Sequence, residues 1–96
     1  MLTTDKIRQI VSKLGRKYGI KSAYLFGSYA KDTATEDSDI DILIDRGNMK
    51  SYDDYYRLHE ELSSELGKDV DLLATDGVRP KFFDIIKNDR ILLYGA

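Results

Sequence analysis

The order of elements in this sequence predicts an α/β (α+β) domain: a mixed sheet of about four strands, with helices packed mainly on one face. Three observations carry that expectation. Apolar residues at helical spacing alternate along the chain with short runs of period two. Each short run turns its isoleucines, leucines or valines to one side, so each strand has a face to bury. Gly, Pro or Asn marks most of the junctions. A chain of 96 residues supports one such core, and the expectation is a single domain from Met1 to Ala96.

The first helix is expected from Asp5 to Tyr18, where Ile7, Ile10, Val11, Leu14 and Tyr18 form one stripe. Thr4 is the expected N-cap, its hydroxyl accepting from an otherwise unpaired backbone N–H. Gly19 suits the left-handed residue past the helix end. Gly15 lies inside the helix with no reason visible in the sequence. Ser22 to Phe26 is the first strand, ended by Gly27 and Ser28. Ser28 is expected to cap a short helix over Tyr29 to Thr33, and the polar Thr35 to Ser38 to form a loop. Asp39 to Asp45 is the second strand. Ile40, Ile42 and Ile44 share one face; Asp39, Asp41, Leu43 and Asp45 share the other. Gly47 and Asn48 break it.

Tyr52 to Leu66 reads as a second long helix, with Tyr55, Leu58 or His59, Leu62 and Leu66 on one side and Gly67 just beyond. Asp69 to Ala74 is the third strand. Val70, Leu72 and Ala74 face one way; Asp69, Asp71 and Leu73 face the other. Asp76-Gly77 is a turn signal. Pro80 opens a short helix that runs to Lys87, and Arg90 to Tyr94 is a last strand. In this arrangement the helices cover the isoleucine face and the aspartate face stands open.

Composition removes several classes of function. There is no cysteine, which excludes disulfides, thiolate zinc sites and cysteine nucleophiles and fits a cytoplasmic location. No run of 18 apolar residues exists, so no membrane helix is expected. The first residues, MLTTDKIRQI, carry charge where a signal peptide needs an apolar core. Net charge is −2, and the densest basic cluster is only Arg16, Lys17 and Lys21. A protein that grips nucleic acid by its phosphates carries a basic excess or stripe, so a polynucleotide substrate is disfavoured.

The chemistry concentrates between Phe26 and Asp45. Asp39 and Asp41 share a strand face, roughly 7 Å apart at ~3.3 Å per residue. Two carboxylates on one face repel, and burial raises a pKa unless a cation is present. No lysine or arginine lies between Glu36 and Asp45. The third strand repeats the pattern, and either Asp71 or Asp69 could stand beside the pair. Three convergent carboxylates are what Mg²⁺ or Mn²⁺ requires, and two such ions activate an attacking oxygen and neutralise a leaving pyrophosphate. The alternative is a solvated face of the sheet. Gly27-Ser28 adds a candidate anion site, since glycine lets backbone approach a phosphate and the serine hydroxyl can bond to it. Lys31, one helical turn on, could reach a phosphate. The segment GSYAKDTA is not a Walker loop, because it lacks the second glycine and the Gly-Lys-Ser/Thr end.

Gly27-Ser28, ten intervening residues and Asp39-Ile40-Asp41, set in YLFGSYAKDTATEDSDIDILID and followed by VDLLA, resemble the signature of the nucleotidyltransferase superfamily that includes DNA polymerase beta. Over its whole length the chain resembles the minimal nucleotidyltransferase (MNT) domains of bacteria and archaea. The resemblance implies the nucleotidyltransferase fold and a Mg²⁺-dependent transfer of AMP from ATP, with two ions and Mn²⁺ as an alternative. It implies that Gly27 and Ser28 hold the triphosphate, that Asp39 and Asp41 carry the metals, and that Asp71 completes the metal site and assists the attacking hydroxyl. Such domains are commonly the antitoxin half of toxin–antitoxin pairs. Their partner is an all-helical HEPN ribonuclease, inactivated by adenylylation of a tyrosine hydroxyl. The chain departs from the family pattern at Lys31-Asp32, where Arg-Gly is common. Lysine keeps the charge but loses the bidentate fork, and Asp32 sets a negative charge near the triphosphate.

Two other readings stand beside this one. The domain could neutralise its toxin by complex formation alone, or serve as one subunit of a small-molecule nucleotidyltransferase. A homo-oligomer and a hetero-oligomer are both open. His59, the only histidine, has no catalytic partner in the sequence and reads as a surface or core-edge residue. Tyr52, Tyr55 and Tyr56 read either as helix-to-sheet packing or as an aromatic patch for a partner.

Overall fold

The computed structural model describes residues 2–49 and 51–95; Met1 and Ala96, the bounds of the expected domain, and Lys50 lie outside the described residues. Strands β1 (Ser22–Phe26), β2 (Ile40–Asp45), β3 (Val70–Ala74) and β4 (Ile91–Tyr94) form one sheet in the order β3-β2-β1-β4. β1 runs antiparallel to β2 and β4, while β2 and β3 are parallel. The sheet is mixed, as the sequence predicts.

Register places Ala23, Leu25, Ile40, Ile42, Ile44, Val70 and Leu72 on one face, and all are buried. Two helices cover that face, α1 (Thr4–Tyr18) with Ile7, Ile10, Val11 and Leu14, and α3 (Tyr52–Leu66) with Leu58, Leu62 and Leu66. Leu58 takes the core position and His59 the edge of the stripe. Each fully buried aliphatic side chain contributes about 1.5–3 kcal/mol, so this stripe-on-sheet contact is the main source of stability. Lys17 of α1 donates to Glu61 of α3 at 2.7 Å, as does the Tyr18 hydroxyl at 3.0 Å.

The expectation of an open aspartate face is corrected. Helix α4 (Pro80–Ile86) packs on that side, and Ile86 joins Phe26 and Leu43 in a second small core. The Phe26 and Phe82 rings meet edge-on at 5.2 Å between centroids. The reason is that Leu43, Leu73 and Phe26 share parity with the aspartates and need cover of their own. What stays uncovered is the end of the face that carries Asp41 and Asp71.

Several boundaries move by a residue or more. Thr3, not Thr4, caps α1, its hydroxyl accepting from the Lys6 N–H at 3.1 Å. The short helix α2 is Gly27–Ala30 rather than Tyr29 to Thr33, and Ser28 lies inside it instead of capping it. Phe26 holds the cap position without a side-chain bond, because a phenyl ring carries no acceptor oxygen. β2 begins at Ile40 and β3 at Val70, leaving Asp39 and Asp69 just outside their strands. α4 ends at Ile86 and β4 begins at Ile91. Gly19 and Gly67 close α1 and α3 in left-handed conformation, as expected. Gly15 gains a reason: a Cβ there would stand 2.9 Å from Tyr94 Cδ2, so the helix lies too close to β4 for any side chain.

Helix side chains cap both edges of the sheet. His59 Nε2 lies 2.7 Å from the Val70 carbonyl, and the Tyr55 hydroxyl donates to the Leu72 carbonyl. On β4, Arg8 Nη2 donates to Leu92 O at 3.3 Å and Ser12 Oγ to Leu93 O at 3.2 Å. Unpaired strand edges invite pairing with other chains, and these bonds blunt both. No described helix is long and apolar enough to cross a membrane.

Candidate active site

The parallel register of β2 and β3 sets Asp41 directly beside Asp71. Strand parity turns both side chains to the face away from α1 and α3. Asp41 is half-buried and Asp71 exposed. Burial, a hydrogen bond with Asp71, and the negative charges of Asp71 and Asp39 push the Asp41 carboxyl up to about 6. Every charged group acting on Asp41 is acidic.

Asp39, exposed and just ahead of β2, acts on Asp41 through its charge. Asp69 stands one step earlier than Asp71, its carbonyl accepting from the Ile40 N–H at 3.0 Å. Asp39 and Asp69 line a polar hollow of about 570 Å³ together with Glu36 and Lys68. Lys68 Nζ donates to the Glu36 carbonyl, bringing a cation to this rim. Sequence reading missed Lys68, and no local spacing could have found it, since 32 residues separate the two.

Gly27 adjoins the carboxylates from the other side. Its φ is +72°, and a Cβ there would overlap Asp41 Oδ2 and stand 2.9 Å from Cγ. Ser28 is half-buried in the first turn of α2, and its carbonyl accepts from the Thr33 N–H at 2.9 Å. Lys31 is exposed; its N–H closes the turn onto the Gly27 carbonyl at 3.1 Å. Asp32 follows with φ +60°. That left-handed conformation suits glycine best and tolerates aspartate. The fold thus brings Gly27, Asp41 and Asp71 together, with Asp39 near enough to act on Asp41 by charge, Ser28 following Gly27 in α2, and Lys31 exposed just past that helix.

Among the described residues no three metal-binding side chains stand close enough to hold an ion in this arrangement. The donor chemistry of the pair fits one. Asp41 and Asp71 offer hard carboxylate oxygens from directly paired residues, and Mg²⁺ or Mn²⁺ would use those oxygens. Asp39 is the further carboxylate whose charge reaches the pair.

Comparison with known proteins agrees with this geometry. The profile of the family described as Polymerase beta, Nucleotidyltransferase matches residues 6–96. A provisionally named protein adenylyltransferase of Methanocaldococcus jannaschii is 39% identical over 90 residues, which is 94% of this chain and 97% of that one. The protein adenylyltransferase MntA of Thermococcus cleftensis is 35% identical over 83 residues, 82% of this chain and 84% of its own. The crystal structure of a toxin–antitoxin with AMP-PNP superposes with a TM-score of 0.78 at 29% identity, covering 99% of this chain and 75% of that one. A parallel strand pair bearing Asp41 and Asp71, a glycine turn pressed against it, and a family match over almost the whole sequence agree: the chain belongs to the polymerase beta nucleotidyltransferase family.

Proposed function

We propose that this chain moves AMP from ATP to a tyrosine hydroxyl on a cognate HEPN toxin, and so acts as an antitoxin. The observation that carries the reading is the contact of the Gly27 turn with the Asp41–Asp71 pair. Phosphate binding and carboxylate chemistry need to be adjacent for nucleotidyl transfer, and here one residue joins them. The relatives named as protein adenylyltransferases and the structural neighbour crystallised with AMP-PNP support the same reaction class.

In this reading Gly27 lets backbone approach the triphosphate, Ser28 bonds its β- and γ-phosphates, and Lys31 reaches it from the rim. Asp41 and Asp71 would hold Mg²⁺, or Mn²⁺ in its place, with Asp39 turning in to complete the set, and the ion when bound supplies charge neutralisation at the triphosphate. Asp71, exposed at the sheet edge, accepts the proton of the tyrosine hydroxyl. The tyrosine oxygen then forms a bond to the α-phosphorus, the bond from that phosphorus to the β-phosphate bridge breaks, and pyrophosphate leaves. The cytoplasm, where ATP and a ribonuclease toxin meet, is the compartment that suits this chemistry.

Incubation with ATP labelled on the α-phosphate, Mg²⁺ and a HEPN protein encoded beside this chain should label that protein. Asp39→Asn with Asp41→Asn should abolish labelling. Labelling that survives the double change sinks the mechanism.

A further inference from the structure

The residue expected to take the acceptor's proton sits on an edge strand with a neighbour on one side only. Asp71 pairs with Asp41 of β2, and among the described residues no strand lies beyond β3. The residues before and after it, Val70 and Leu72, have carbonyls bonded by α3 side chains. His59 Nε2 lies 2.7 Å from Val70 O, and the Tyr55 hydroxyl donates to Leu72 O. His59 and Tyr55 are four apart on one helix, so they meet carbonyls two apart on the strand. A carbonyl only accepts, so His59 carries its proton on Nε2. Burial raises the Tyr55 phenol above its ordinary pKa, which keeps it a donor.

We infer that Tyr55 and His59 are positioning residues for Asp71: they replace the missing strand and hold the backbone on both sides of the carboxylate. The inference rests on the proposed role of Asp71. A strand held on one side can twist and slide at its free edge, and a carboxylate on it moves accordingly. A displacement of even about 1 Å at a reacting group costs up to about 10²-fold in rate. Both bonds are made to backbone carbonyls of β3 and neither to the Asp71 carboxylate itself, so their loss should lower kcat and leave the KM for ATP nearly unchanged.

The test uses the full chain with ATP, Mg²⁺ and the HEPN protein, and four variants. Tyr55→Phe removes one oxygen and keeps the ring, so the fold survives. His59→Leu removes the other donor, His59→Gln restores a side-chain N–H, and Asp71→Asn marks the loss of the carboxylate itself. Tyr55→Phe is expected to lower kcat about tenfold, in the range for partners that orient a reactive ligand, with KM for ATP changed less than about twofold. His59→Leu should do the same and His59→Gln should recover most of the loss. Amide exchange at Asp71 should quicken in Tyr55→Phe, a readout independent of transfer. Wild-type kcat in both Tyr55→Phe and His59→Leu, with Asp71→Asn inactive, overturns the positioning role and leaves the site reading intact. Full transfer by Asp71→Asn overturns the site reading and this inference together.

Discussion

Gly27 and Asp41 stand so close that no side chain fits between them: a Cβ on Gly27 would lie 2.9 Å from the carboxylate carbon and overlap one of its oxygens. The same glycine has φ +72°, where other residues are strained. The proposed phosphate turn and the proposed metal carboxylate are therefore one packed unit. Gly27→Ala should cost about 1–3 kcal/mol of stability from backbone strain. It should also push Asp41 from its place and lower AMP transfer by on the order of 10²-fold. Thermal unfolding and the labelling assay measure the two effects, and an alanine variant of wild-type rate would disprove the coupling.

The Asp41 carboxyl titrates at about 6 in the folded chain against an ordinary 3.8. A raised pKa means that the proton favours the folded state. This contribution is full below pH 3.8 and is lost as pH rises through about 6. Without divalent ions the protein should therefore melt at a lower temperature near pH 7 than near pH 5, and Asp41→Asn should flatten that part of the profile. Added Mg²⁺ should restore stability mainly at the higher pH, where Asp41 is ionised. An identical pH profile in wild type and Asp41→Asn would remove the argument.

Asp32 sits exposed with φ +60°, a backbone conformation that suits glycine best. Asparagine tolerates the same backbone without the charge. Asp32→Asn should leave the melting temperature almost unchanged and lower the KM for ATP by about threefold, the scale of one exposed charge. Asp32→Val, β-branched, should instead destabilise the fold by about 1–2 kcal/mol. A KM unmoved by Asp32→Asn would place this charge outside the reach of the nucleotide.

Leu43, two residues on from Asp41 on the same face, is buried against Phe26 and Ile86. Leu43→Ala should cost about 2–5 kcal/mol. Because α4 rests on this small core, urea unfolding followed at the Phe82 and Phe83 resonances should show the loss there as well as globally. A cost below about 1 kcal/mol would mean that α4 is held by something else.

Much of this was legible in advance. Ser22–Phe26 and Tyr52–Leu66 have the limits their patterns predict, because a period-two run and a helical stripe each end in a glycine. Strand parity set Asp41 opposite in direction to Ile42 on the second strand, and Asp71 opposite in direction to Leu72 on the third. Parity could not separate Asp69 from Asp71 as the neighbour of Asp41; the β2–β3 register did that, placing Asp71 directly opposite. The cap at Thr3, the place of Ser28 within α2, and α4 on the second face were also beyond local pattern. Each depends on where a neighbouring element lies, and propensity does not carry that information.

The sequence by itself determined the element order, the apolar face of each strand, and the resemblance from which the chemistry follows. Periodicity and residue type are local properties, and the chain states them directly. Only the tertiary structure decided that Gly27 abuts Asp41, that Lys68 reaches Glu36, and that His59 and Tyr55 grip the two carbonyls flanking Asp71. Those contacts join residues 11 to 32 positions apart, and they exist because burying the isoleucine face under α1 and α3 fixes one strand order and one register.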